Sequence, residues 1–318
     1  MARPAPAPAS GVEPRAAAQA AAAPRRPRPF DWLERIMPQA VVAPSFAASL
    51  FFVYGFIAWT VYISFTPSGM LPNYEFIGLD QYRELWAMPR WHIALNNLFV
   101  FGTLFILICT ALGILLAIFL DQRIRAEGAL RTIYLYPMAL SLIVTGTAWK
   151  WILNPGLGIE SVVQGWGFEN FQFDWLVNRE MAIYTVVIAG VWQASGFVMA
   201  LFLAGLRSVD DEVIKAAAID GASLPRTYWS IVLPMLRPVF LSSFIVLAHL
   251  AIKSFDLVVA LTGGGPGIAT DLPATFMYAM AFQRSELGLA AASAVMMLVT
   301  ILAIIVPYLY SELRQTGR

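Results

Sequence analysis

Charge is what this chain has least of. Asp, Glu, Lys and Arg make up 13% of its 318 residues, about half the roughly 25% of a soluble globular domain. That shortage excludes one or two ordinary soluble domains. Cysteine is almost missing: Cys109 stands alone in an apolar run, which excludes a disulfide framework and reads as a small buried hydrophobe. Histidine occurs only as His92 and His249, too few for a convergent acid, base and nucleophile set. Basic residues number 21 against 20 acidic ones. No excess of positive charge awaits a nucleic acid. What fills the space is apolar, 59% of all residues.

The apolar residues fall into six runs, at about 41–65, 98–120, 133–153, 183–206, 239–261 and 287–310. Each is about 20–25 residues, enough to cross a hydrocarbon core of about 30 Å. Backbone groups in lipid must bond within their own segment, so the runs predict helices. The alternating ten-residue segments of a β-barrel are missing. The expected fold is an all-α membrane protein with six transmembrane helices over residues 39–314, in contact with membrane lipid. Residues 1–38 read differently: Pro4, Pro6, Pro8 and scattered arginines predict a disordered tail.

Placing both termini on one side leaves only Arg83, Arg90, Lys150, Arg179, Lys253 and Arg284 of the 21 cations on the other. The positive-inside rule then makes the terminal side cytoplasmic. Trp86, Trp91, Trp149, Trp151, Trp175, Tyr308 and Tyr310 cluster near the segment ends, as an interfacial belt does.

The inner segment 207–238 is longer than a connection needs. Asp210 is placed to cap a helix, with Asp211 and Glu212 at the positive end of its dipole. Ala216, Ala217 and Ala218 favour helix, and Gly221 suits its end. Ser223 and Pro225 open a second helix, which carries Tyr228 and Trp229 until Pro234 interrupts it. The pair reads either as a knob for a partner or as an amphipathic segment lying on the bilayer. Its low Lys/Arg content favours the knob.

This stretch resembles the EAA motif of permease subunits in binding-protein-dependent ATP-binding-cassette importers. The matching residues are Lys215-Ala216-Ala217, Asp220-Gly221-Ala222 and Ile231-Val232-Leu233-Pro234. Lys215 stands where the family pattern has glutamate. A second stretch, Thr262-Gly263-Gly264-Gly265-Pro266 with Thr270, resembles the sugar-importing branch, and Phe255-Asp256 fits it too. The region around 251–278 looks most like glucose/mannose and α-glucoside permeases.

The resemblance implies a coupling helix at Asp211, Glu212, Lys215, Ala216, Ala217, Asp220, Gly221, Ala222 and Ser223. It also implies a second permease subunit, a dimer of ATPase subunits and an extracytoplasmic sugar-binding protein. The glycines at 263–265 are not followed by Lys-Ser/Thr, so they make no phosphate loop. No Walker A pattern occurs elsewhere. ATP and Mg are therefore expected to act through the partner ATPase, with no cofactor and no catalytic site in this chain.

For the substrate path there are two candidate faces. His249, Lys253 and Asp256 are spaced by four and three, one stripe of a helix. Ionisable groups inside a membrane are functional suspects, although a Lys253–Asp256 ion pair near the outer boundary explains them as well. The family resemblance points instead to Gln193 and Phe197, beside Trp192, and to Leu250, Ala251 and Ser254. Small residues at Gly288, Ala290, Ala291, Ala292, Ser293 and Ala294 read as helix packing. The rival reading is a stand-alone secondary transporter, which predicts inverted repeats and midplane carboxylates. No convincing repeat is present, and Asp256 is the one acid well inside a run.

Overall fold

A computed structural model describes residues 31–122 and 124–316. The expected tail at 1–30 lies outside them. Among the described residues every regular element is helical. The chain divides into two units, with the boundary between Ile57 and Ala58. The described part of the first belongs to α1 (Asp31–Ile63), whose start lies inside the stretch assigned to the tail. Its Phe51 and Phe52 are exposed, and Phe52 stacks on Phe56 with ring centroids 6.1 Å apart.

In the second unit the helices are α2 (Asp80–Ala87), α3 (Pro89–Asp121), α4 (Glu127–Ala139), α5 (Leu142–Ile152), α6 (Ile159–Gly165) and α7 (Ala182–Leu206). There follow α8 (Asp211–Ile219), α9 (Leu224–Met235), α10 (Arg237–Ile252), α11 (Asp256–Leu261), α12 (Pro273–Tyr278) and α13 (Leu287–Thr316). The core lies where α3 and α7 meet, around Phe101, Phe105, Val198, Met199 and Phe202. Cys109 is fully buried there, as its apolar setting predicts. Lipid tails are as apolar as leucine, so close packing rather than escape from water holds such helices together.

Among the described residues four helices are long and apolar enough to cross a membrane, and the number rises to six if each of two bent pairs is one span. The run at 133–153 is one such pair: α4 and α5 meet at 100°. Pro137 sits in the last turn of α4 and lacks a donor. Leu140 then turns extended, and the Ser141 hydroxyl caps α5 by accepting from the Ile143 amide. The run at 239–261 is broken as well. It ends as helix at Ile252, passes through Lys253–Phe255, and restarts as α11 at Asp256.

Two sequence readings change here. Trp91 is not at an interface: it is 1% exposed, packed against Phe276 in a second core with Leu85 and Met280. Helix α9 passes through Pro234 instead of stopping there. A π-turn at Tyr228–Val232 widens the coil just before the proline, and the 67° bend falls after it, at Leu236. The small residues that open α13 do pack: Leu289, Ala290 and Ala292 are buried in that second core, and Ser293 is fully buried too.

Candidate coupling segment and substrate path

The local chemistry expected of 207–238 is realised. The Asp210 carboxylate accepts from the Glu212 amide at 2.9 Å, and Asp211 and Glu212 occupy the first turn of α8. Gly221 takes φ +78° just after it, a conformation that L side chains rarely adopt. Ser223 precedes α9 without a side-chain cap, and Pro225 lies in its first turn. Asp211, Glu212, Lys215, Ala216, Asp220 and Ser223 are exposed, Ala222 is half-buried, and Ala217 alone turns inward. Large apolar side chains also face outward: Ile219 is 86% exposed, Trp229 75% and Leu224 67%.

The stems of this segment lie against the end of α3 and the start of α4. Arg207 donates to Glu127 at 2.7 Å and lies 3.9 Å from Asp121. Arg131 donates to the same Glu127 oxygen at 2.6 Å. The Tyr228 hydroxyl lies beside Asp121 and Gln122.

The two faces considered for a substrate path do not converge. His249, Lys253 and Asp256 are exposed and line one groove of about 520 Å³ with Phe255, Met277 and Met297. Lys253 and Asp256 make no ion pair among the described residues. The helix ends between them, so the three-residue spacing no longer stacks them.

Trp192 faces a different groove, of about 550 Å³, beside Tyr134 and Trp149, whose ring meets it edge-on. Gln193 is buried. Its amide donates to the Leu140 carbonyl at 3.0 Å, the group freed by the α4–α5 break, and its own oxygen has no partner among the described residues. Phe197 and Leu250 pack half-buried against the core, and Ala251 and Ser254 are buried.

One arrangement escaped sequence reasoning. Asp271 is buried, its side chain 3% exposed, and accepts from Arg90 at 2.6 Å and from Thr275 at 3.2 Å. Asn97 donates to the carbonyls of Ala269 and Asp271. The glycine-rich stretch is tied to the same knot. The hydroxyls of Thr262 and Thr270 are 2.7 Å apart, and Thr270 donates to the Gly265 carbonyl. Arg90 and Asp271 are far apart along the chain, so no local pattern announces them. The spacing of the two threonines about the glycines was the visible trace.

Comparison with known proteins agrees with this architecture. A family model described as a binding-protein-dependent transport system inner membrane component matches residues 109–315. A probable ABC transporter permease of Pyrococcus horikoshii is 40% identical, over 81% of this chain and 89% of its own length. The xylose/arabinose import permease of Haloferax volcanii is 39% identical, over 83% of this chain and 84% of its own. The fold also matches one chain of a bacterial ABC transporter involved in import of the acidic polysaccharide alginate. There the TM-score is 0.77 at 20% identity, covering 90% of this chain and 98% of that one. With four to six apolar candidate spans, an exposed helical hairpin and these relatives, the chain belongs to the inner membrane components of binding-protein-dependent transport systems, the permeases of ABC importers.

Proposed function

We propose that this permease carries a sugar inward across the cytoplasmic membrane, with both termini on the cytoplasmic side. It pairs with a second permease, a dimer of ATPase subunits that binds ATP and Mg, and an extracytoplasmic sugar-binding protein. The observation that carries the reading is the exposed helical hairpin α8–α9 within residues 207–238, whose apolar side chains need cover. The sugar class draws on the 39% identical xylose/arabinose permease and on a trehalose/maltose permease of Thermococcus litoralis. The finer assignment to glucose/mannose or an α-glucoside rests on the resemblance around 251–278.

In this reading the ATPase seats α8, and nucleotide binding favours one conformation of the bundle over the other. The path is lined either by the His249–Lys253–Asp256 groove or by the face that carries Trp192, Phe197 and Ser254. Charges on a membrane helix are costly against lipid, at about 2.5–3.5 kcal/mol each near the centre. The first face is therefore covered by water or protein in the assembled importer.

Lys215 in place of the family's glutamate calls for an acidic or neutral surface opposite it on the ATPase. Lys215→Glu should lower uptake with the native ATPase, and unchanged uptake would count against charge matching there. The experiment that tests the whole reading is uptake of radiolabelled xylose, glucose and maltose in a strain with and without the partner ATPase. Uptake that survives loss of the ATPase would establish the lone carrier instead.

A further inference from the structure

Glu127 is the meeting point of three elements. It opens α4, its Oε1 accepts from Arg131 one turn on, and the same oxygen accepts from Arg207 at the end of α7. Three residues after Arg207 comes Asp210, the cap of α8. The second stem of the hairpin reaches the same loop through Tyr228, beside Asp121 and Gln122. The first stem is thus fastened to the start of α4, and the second lies beside the junction of α3 and α4.

Helix α4 is in turn clamped to α7 higher up. A Cβ at Gly196 would collide with the Tyr134 carbonyl oxygen, so the two backbones touch there. Beyond the break at Leu140, α5 lies against α11, where a Cβ at Gly146 would come within 2.7 Å of the Ala260 Cβ. A displacement of α8 at its Arg207 stem therefore reaches α4 first through Glu127, and the outer half of the bundle through the broken span.

These ion pairs are about one-third exposed. Pairs so placed add little to stability, so holding the fold is a poor account of a carboxylate shared by two arginines.

We infer that Glu127 is a positioning residue for energy coupling: it makes α4 follow the coupling helix, so that ATP hydrolysis drives movement of the substrate path. The inference rests on the reading of 207–238 as the ATPase-docking segment. It predicts that losing the charge leaves docking and hydrolysis in place while wasting ATP.

The test uses the full importer, with its ATPase and binding protein, in proteoliposomes. ATP hydrolysed is measured against radiolabelled xylose, glucose and maltose accumulated. Glu127→Gln should raise the ATP spent per sugar imported at least fivefold with the ATPase still co-purifying. Glu127→Asp, which keeps the charge, should stay within twofold of wild type. Arg207→Gln should reproduce the defect, and the double variant should be no worse than either single one, as for two ends of one contact.

A ratio within twofold of wild type in Glu127→Gln overturns the inference. If that variant does not assemble, a normal ratio in Arg207→Gln overturns it equally. A wild-type chain that captures no ATPase sinks the docking reading itself, an outcome distinct from an unchanged ratio.

Discussion

The stretches 262–275 and 207–238 both connect apolar helices, yet they are built in opposite ways. The first is closed over. Its hydroxyls bond to each other and to its own carbonyls, and its buried Asp271 is paired with Arg90. The second bonds at Arg207 and Asp210 and leaves Ile219, Leu224 and Trp229 bare. A segment whose polar groups are met within the chain is finished by this chain alone. Oily side chains beside solvated carboxylates leave a surface to be covered. In the proposed function, the contrast separates a part that holds shape from a part that meets a partner.

Substitutions can break that contrast or sharpen it. The largest effect is expected at Asp271→Ala. Removing one member of a buried pair costs about 3–5 kcal/mol, so the thermal midpoint of the detergent-solubilised chain should fall steeply. A small change would show that the Arg90–Asp271 knot is decoration.

Next comes Ile219→Asp. It should leave that midpoint almost unchanged, since an exposed site is worth within about 0.5 kcal/mol. At the same time it should cut co-purified ATPase at least tenfold. Equal losses of stability and of ATPase would erase the distinction between the two stretches. The smallest effect is expected at Asp210→Ala, about 1 kcal/mol for a lost cap. Faster amide hydrogen exchange confined to α8 would register it, and uniform protection would show that the cap is idle.

What was legible in the residues was local. Run length announced the crossings, and Asp210, Gly221 and Pro225 announced the hairpin because capping and turn chemistry act within four residues. What escaped was decided at a distance. The 100° break at Leu140 is stabilised by a bond from Gln193, which lies on another helix. That is why the run at 133–153 read as one continuous span. Lys253 and Asp256 looked like partners because the spacing assumed an unbroken helix. Gln193, expected from the family resemblance beside a sugar, is engaged with backbone in this conformation. Trp91 shows the same limit: an aromatic near a segment end satisfies the belt pattern whether it faces headgroups or a core.

The Arg90–Asp271 bond also has a consequence for how the protein is made. Synthesis delivers Arg90 long before Asp271, and the two enter at opposite ends of the permease domain. Until the ribosome has passed the twelfth helix, the arginine waits without its counter-charge. Asn97 likewise waits for the carbonyls that it will hold. Closure of this knot is therefore a late event, one that a chain stopped before residue 271 never reaches.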